Sequence, residues 1–261
     1  MELQLENACP NCKRDITDNF CSNCGQKKYK RIDKKYIWDE LQYTVFHWNK
    51  GLLYSIKQLI KNPGKTARTF VEGNRVNHYK PISLVFVLSG LGAFLSINVL
   101  NINSVMKVGF AADKNVNMEF MNKWIAFVTS YNAFIMLAVI PIIALLTKIA
   151  FRKWGHNYYE HIVMNAYGLS CYSALSMLLV YPILYFVRHD AKTFLTISNT
   201  VSAIIPITMV WFFKGFYPNR KLTTIILRIL LIIAMVLIIF VLLIIVSAIV
   251  GAMLGYFKNI K

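Results

Sequence analysis

The sequence predicts an all-α polytopic membrane protein with about five transmembrane helices, preceded by a small cysteine-rich head and an amphipathic helix. Hydrophobic residues make up 56% of the 261 residues and charged residues only 16%, against roughly 25% charged in soluble domains. Five stretches contain no Asp, Glu, Lys or Arg: 81–106, 124–147, 162–187, 193–213 and 229–257. A bilayer core needs about 20 apolar residues per helix, whereas the helices of soluble proteins keep a polar face.

These stretches divide the chain into three parts. Residues 1–30 form the head, residues 31–80 a basic strap with an amphipathic helix and a juxtamembrane collar, and residues 81–261 the transmembrane bundle. The spans are predicted at about 81–101, 124–150, 162–187, 194–213 and 224–257. Residues 102–123 are predicted to be a loop, and Pro141 is predicted to kink the second span. A signal peptide is not expected, because no apolar core lies near Met1.

The head contains two CxxC pairs, Cys9-Pro-Asn-Cys12 and Cys21-Ser-Asn-Cys24, with eight residues between them. Two such turns supply four thiolates that can close a tetrahedron around zinc. Gly25 suits the positive φ that often follows such a turn. Disulfides are the alternative, but they are rare in the reducing compartment expected for an internal N-terminus. The spacing therefore predicts a structural zinc ribbon that folds with its metal.

The net charge of +17 is unevenly distributed along the predicted topology. Of the 29 Lys and Arg residues, 22 precede the first span or flank the connections after the second and fourth spans, and seven lie on the other side. The positive-inside rule then predicts a cytoplasmic N-terminus and an external C-terminus. Orientation and attraction to anionic lipid headgroups account for the basicity, so a nucleic-acid partner is not expected.

Tyr36–Ile60 has apolar residues at spacings of three and four, which indicates an amphipathic helix that lies in the interface or packs on the bundle. Gly51 is expected to bend it. The Pro63-Gly64 pair is expected to end it, since proline cannot continue a helix. The collar that follows carries four candidate headgroup-binding residues: Arg68, Arg75, His78 and Lys80.

Several of these segments carry a family resemblance: Cys24-Gly25-Gln26, the aromatic helix, Asn49-Lys50-Gly51-Leu52-Leu53, Lys61-Asn62-Pro63-Gly64, and Phe70-Val71-Glu72-Gly73-Asn74-Arg75-Val76-Asn77-His78-Tyr79. Together they resemble a family of bacterial membrane proteins catalogued as domain of unknown function 3667. The resemblance covers about residues 9–100, and Asn74 departs from the usual Lys or Thr. It implies a zinc-ribbon-like head, several spans and the bacterial inner membrane, and it supplies no activity.

A second candidate metal site lies between the second and third spans, where His156, Glu160 and His161 follow one another. Their HxxxEH spacing matches neither HExxH nor HxxEH, the patterns of zinc peptidases. The favoured alternative is an interfacial belt of aromatic residues around polar residues that begin a helix.

Two further features concern the spans themselves. Asn165, Tyr172 and Ser176 of the third span and Asn199 of the fourth are candidates for a polar cavity, the alternative being hydrogen bonds between helices. Ser247, Gly251 and Gly255 form a small-xxx-small face that suits close packing in the bundle or a homo-oligomer.

The five charge-free stretches supply no ionisable Asp, Glu, Lys or Arg at membrane depth, and no phosphate-binding loop or nucleophile elbow is present. No catalytic residue is therefore predicted, and an enzyme is not expected; the weaker alternative is an interfacial enzyme that acts on lipid, or a metal-dependent one built on His156, Glu160 and His161. The leading hypothesis is a non-catalytic scaffold or sensor whose zinc head docks a cytoplasmic protein. The alternative is a channel, transporter or lipid-handling protein for a neutral or amphipathic cargo.

Overall fold

The computed structural model describes residues 8–28, 31–43, 51–111 and 117–259, and within these ranges the chain is helical apart from the head. The helices are α1 (Lys34–Tyr43), α2 (Leu52–Lys61), α3 (Pro63–Val71), α4 (Pro81–Asn98), α5 (Ile102–Ala111), α6 (Met118–Ser130), α7 (Asn132–Ala150), α8 (Tyr158–Leu175), α9 (Tyr181–Phe186), α10 (Ala191–Ser202), α11 (Ile205–Phe216) and α12 (Leu222–Asn259).

Five helical segments in the described ranges are long and apolar enough to cross a membrane. They are Pro81–Asn98, Asn132–Ala150, Tyr158–Phe186, Ala191–Phe216 and Leu222–Ser247. The described ranges contain two isolated β-bridges and no extended strand. The predicted all-α class with five spans is therefore confirmed.

The connection between the first two spans differs from the predicted loop, because it contains α5 and α6. The Asn117 side chain accepts a hydrogen bond from the Phe120 N–H and caps the start of α6. The predicted start of the second span, Trp124, lies inside α6, and the spanning helix begins after Tyr131. An absence of charge marks lipid-compatible sequence, but it does not show where one apolar helix ends and the next begins.

The helices of two spans are interrupted near a proline. The second span continues as one helix through Pro141, and its kink stays a prediction. The third changes to a π-helical turn at Ser176–Val180 directly before Pro182, as expected where a missing N–H interrupts the regular hydrogen bonds. The fourth is divided between α10 and α11 just before Pro206.

The predicted amphipathic helix Tyr36–Ile60 corresponds to α1 and α2, and its residues 44–50 lie outside the described residues. Helix α2 buries Ser55 and Leu59 and packs against α3 and α8. Gly51 sits where α2 meets the segment before the first span. A Cβ there would lie 2.9 Å from the Asn77 carbonyl oxygen, so a close approach of two backbones requires this glycine.

The Asn62-Pro63-Gly64 sequence joins α2 and α3 into a hairpin. Asn62 caps α3 by accepting a hydrogen bond from the Lys65 N–H at 3.0 Å, and Pro63 takes the first helical position, where no N–H is needed. Gly64 permits close packing: a Cβ would overlap the Phe212 carbonyl oxygen of α11. Sequence reasoning assigned the Pro63-Gly64 pair to the helix break alone.

Helix α8 is central to the bundle, with α2, α3, α4 and α7 packed around it. Helix α12 packs on the others through residues near its start, including Ile225, Ile229 and Ile232, while Val236–Val246 are exposed. Ser247 is also exposed. The surroundings of Gly251 and Gly255 lie outside what the structure describes, so the homo-oligomer face stays a prediction.

Candidate metal centre

The four head cysteines converge on one point. Their Sγ atoms all lie within 4.8 Å of one another, with Cys9 and Cys24 3.6 Å apart and Cys12 and Cys21 3.5 Å apart. None of the four is in a disulfide. Four thiolates at about 2.3 Å from zinc lie roughly 3.8 Å from one another. The donor set therefore fits a tetrahedral metal ion and fills every coordination position of zinc.

Each CxxC pair lies in a tight turn closed by backbone hydrogen bonds. In the first turn the Lys13 N–H donates to the Cys9 carbonyl and the Cys9 N–H donates to the Arg14 carbonyl, at 2.9 and 2.7 Å. Lys13 has a φ of 66°, which is unusual for a residue with a side chain. The bridge between Ala8 and Asp15 closes this turn.

The second turn repeats this pattern. The Gly25 N–H donates to the Cys21 carbonyl and the Cys21 N–H donates to the Gln26 carbonyl, at 2.9 and 2.8 Å. Gly25 has a φ of 70°, which confirms the predicted positive φ. Ile16 packs with the cysteines as the buried apolar residue of the head.

Hydrogen bonds at the first turn favour the thiolate of Cys12. The Arg14 backbone N–H and the Asn23 side chain hydrogen-bond to its sulfur and lower the pKa of Cys12 to about 6. A thiolate is the form that binds metal, so this cysteine is prepared for ligation at neutral pH.

The head is attached to the bundle by the residue that follows its second turn. Gln26 is 3% exposed, and its Oε1 accepts hydrogen bonds from the Arg75 and Val76 N–H groups at 3.0 and 2.9 Å. The Asn77 side chain also donates to Asn11 Oδ1 at 3.3 Å. The collar segment before the first span is thereby a docking site for the head.

A second attachment joins the strap after the head to the start of α8. Arg31 makes a two-point ion pair with Glu160, with N···O distances of 2.7 and 3.0 Å, and also donates to the Gly155 carbonyl. The Glu160 side chain is 5% exposed and accepts from the Asn157 N–H in a capping box. The Asn157 side chain donates to the Ile32 carbonyl, and Ile32 is buried in the main core.

These contacts involve part of the groups considered as a second metal site, while His156 Nδ1 and His161 Nε2 are buried without a hydrogen-bond partner among the described residues. Both Glu160 oxygens bind Arg31 or the helix start, and His161 Nδ1 lies 3.1 Å from Thr147 Oγ1. The His156 ring packs edge-on against Phe216, and burial lowers the pKa of His156. Among the described residues, the side chains close enough to hold a metal together are the head cysteines and not this group, and the interfacial aromatic belt stays a prediction.

The four candidate headgroup residues occupy different environments. The Arg75 guanidinium lies over the rings of Tyr36 and Phe70, 5.1 and 5.6 Å from their centroids. The His78 ring packs on Phe70 at 6.1 Å, and burial lowers the pKa of His78. Arg75 and His78 therefore face an aromatic cluster inside the protein.

The other two candidates lie closer to acidic side chains. Arg68 Nε is 3.8 Å from Glu72 Oε1 on the same helix. Burial lowers the pKa of Lys80, and the nearby Glu40 opposes that shift. Headgroup binding by these four residues stays a prediction.

The four candidate cavity residues occupy different environments, and their cavity stays a prediction. Asn165 is buried and donates to Thr147 Oγ1 at 2.8 Å, which joins α8 to α7. Tyr172 is 38% exposed, Ser176 lies in the π-helical turn, and Asn199 is exposed on α10. For Asn165, the structure agrees with the alternative of hydrogen bonding between helices.

Sequence reasoning missed Glu40, a buried carboxylate on α1. It is 2% exposed, and its Oε1 accepts from the Ile82 N–H at 2.6 Å, where α4 begins. Burial raises the pKa of Glu40 to about 7, although the Ile82 N–H and the Lys80 charge oppose the shift. An acidic side chain at a helix N-terminus is favourable, so Glu40 anchors α1 to the first span.

The model of a known family matches a segment that contains both the hairpin and the docking turn for Gln26. Neither the curated proteins nor the solved structures contained a match to this chain. Residues 49–91 match the model of a family described as a protein of unknown function, DUF3667, which confirms the predicted resemblance over that segment.

Proposed function

We propose that this membrane protein is a non-catalytic scaffold or sensor whose zinc-binding head is held on the bundle as a platform for a cytoplasmic protein. The observation that carries the proposal is the pair of hydrogen bonds from Arg75 and Val76 to Gln26. They begin one residue after the second CxxC turn, so the fold of the head and its position on the bundle depend on the same segment. Zinc is the proposed metal, because four thiolates suit it.

The proposed setting is a bacterial inner membrane with the head in the cytoplasm and the C-terminus outside. The charge distribution supports this orientation, since 22 of the 29 Lys and Arg residues lie on the head's side. The contacts of the head agree with it: they involve the collar and the start of α8, which follows the basic Lys148–Lys153 segment.

In this proposal the metal controls where the head sits. A small four-cysteine turn pair has little core of its own, so removal of the metal is expected to unfold it. Gln26 would then no longer be held against the collar. A partner that recognises the folded, docked head would lose its binding surface, while the spans would stay in the membrane.

The test is a comparison of cross-linked complexes extracted in detergent. Cys12→Ser should lose both zinc and the partner. Gln26→Ala and Arg31→Ala should keep zinc and lose partner, because they release the head without removing a ligand. Arg152→Ala is the matched control for Arg31→Ala, since Arg152 is exposed on the same side of the bundle.

Zinc content of each sample separates the two steps of the proposal. An unchanged set of cross-linked partners in Cys12→Ser, with zinc absent, would contradict the role of the head. If Cys12→Ser lost the partner while Gln26→Ala and Arg31→Ala kept it, the partner would bind the folded head whether or not the head is docked on the bundle.

A further inference from the structure

The α2–α3 hairpin presents three lysines that have no acidic partner among the described residues. Lys57, Lys61 and Lys65 are exposed, and the ion pairs in the described part of the chain involve other residues. Nearby, Leu53 is 80% exposed and Ile60 is 37% exposed. Lysines beside exposed apolar side chains are the composition of a surface that lies in a membrane interface.

Helix α2 has a buried face and an opposite exposed face that carries both apolar and basic side chains. At about 100° per residue, Leu53, Lys57, Ile60 and Lys61 fall on one face of the helix. Ser55 and Leu59 fall on the opposite face and are buried. The exposed face therefore combines apolar and basic side chains, as expected of a helix with its apolar part among acyl chains and its charges among headgroups.

The packing of the hairpin sets its depth. Gly64 and Gly215 cross so closely that a Cβ on Gly215 would lie 3.1 Å from the Gly64 Cα. Gly215 follows Lys214, which is the first cation after the charge-free stretch 193–213. The turn of the hairpin thus lies where the fourth span leaves the hydrocarbon. At the other end of α2, Gly51 lies against the Asn77–Tyr79 segment directly before the first span. Leu59 lies near Cys171 of α8, one turn beyond Tyr167, whose hydroxyl donates to the Tyr79 carbonyl in that same segment.

We infer that the α2–α3 hairpin binds anionic phospholipids of the leaflet on the head's side, through Lys57, Lys61 and Lys65. Leu53 and Ile60 lie against acyl chains, and the flexible lysine stems carry their ammonium groups to the phosphates. This assigns lipid recognition to residues other than Arg75 and His78, whose side chains pack on the aromatic cluster. It is independent of the metal in the head.

The experiment measures binding of phosphatidylglycerol and of phosphatidylcholine to the purified full chain in neutral detergent, by native mass spectrometry and by thermal shift. The variant changes all three lysines to glutamine. The matched control changes Lys107, Lys123 and Lys192 to glutamine, since these are exposed near the opposite ends of the spans. A third variant changes the hairpin lysines to arginine, which keeps the charge.

The wild type, the control and the arginine variant should prefer phosphatidylglycerol. The glutamine variant should lose roughly fivefold in affinity per lysine, or on the order of 100-fold in total. The inference would be overturned if the glutamine variant preferred phosphatidylglycerol as strongly as the wild type does. It would also be overturned if the control variant lost that preference. If sodium phosphate at matched ionic strength removed the preference where sodium chloride did not, a soluble anion would replace lipid as the occupant. Bound zinc and the melting temperature in phosphatidylcholine report whether each variant is folded.

Discussion

Glu40 is a single residue that joins the interfacial helix α1 to the first span. Its carboxylate is buried where α4 begins, and burial raises its pKa from 4.5 to about 7. The folded protein therefore holds this proton more tightly than the unfolded chain does between about pH 4.5 and 7. Within that window the free energy of unfolding should fall as the pH rises, by up to about 3 kcal/mol in total.

We predict that Glu40→Gln removes this fall in the free energy of unfolding with rising pH, because an amide does not titrate. His78 and His156 have lowered pKa values, so they act in the opposite direction and add stability as the pH rises through the range just below 6.5. The difference between wild type and Glu40→Gln isolates the carboxylate. Melting temperatures in detergent from pH 5 to 8 provide the measurement, and parallel curves for the two proteins would disprove the assignment.

Gly64 gives a second prediction at this scale. A methyl group there would overlap the backbone of α11, which cannot move without shifting the fourth span. Gly64→Ala should therefore destabilise the protein by at least about 2 kcal/mol. Gly90→Ala in α4 is the matched control, because a Cβ there meets nothing within 4 Å. Equal melting temperatures for the two variants would show that α3 and α11 are not packed this closely.

At the scale of elements, the docking of the head on the collar rests on Gln26. Gln26→Ala leaves the partly buried Arg75 and Val76 N–H groups without their acceptor, at a net cost of about 0.5–1.5 kcal/mol per hydrogen bond. The expected result is faster hydrogen exchange at residues 75 and 76 with zinc still bound. Gln58→Ala is the control, since Gln58 lies on α2 and its side chain takes no part in the described hydrogen bonds between the head and the collar. Unchanged exchange in Gln26→Ala would contradict the docking.

The spans and the cysteine cluster could be predicted from sequence because each depends on a local pattern. Charge is excluded from the part of a helix that lies in the hydrocarbon, and four cysteines at CxxC spacing can form a site within one short segment. The ends of the helices were harder to predict from the sequence, because they depend on caps such as Asn117 and on prolines inside apolar stretches.

Contacts between segments far apart in the sequence could not be predicted, because neither segment carries a local pattern that indicates its partner. Gln26 meets Val76 across 50 residues, Glu40 meets Ile82 across 42, and Arg31 meets Glu160 across 129. Each of these polar residues lies in a stretch where an exposed position was the natural expectation. The close packing of Gly64 against α11 was also not predicted, because a glycine next to Pro63 is already explained by the end of the helix.

At the scale of the whole molecule, the head, the collar and the start of α8 lie together at one end of the spans. The hydrogen bonds from the head reach residues 75–77 and 155–160, and the exposed turn after α11 contains Pro218–Arg220. The turn around His189, between the third and fourth spans, lies at the other end. The structure therefore fixes which connections lie on the same side of the membrane as the head and which lie on the opposite side.

That relation makes the orientation testable with two cysteine substitutions at exposed positions, Asn219→Cys and His189→Cys. With 22 of the 29 Lys and Arg residues on the head's side, the cytoplasm should contain the head and residue 219. A membrane-impermeant maleimide on intact cells should label His189→Cys and leave Asn219→Cys unlabelled until the cells are permeabilised. The reverse pattern would place the zinc head outside the reducing cytoplasm, where its free thiolates would be exposed to oxidation, and the proposed cytoplasmic partner would have to be abandoned. Labelling of both positions in intact cells would show that the fourth span does not cross the membrane.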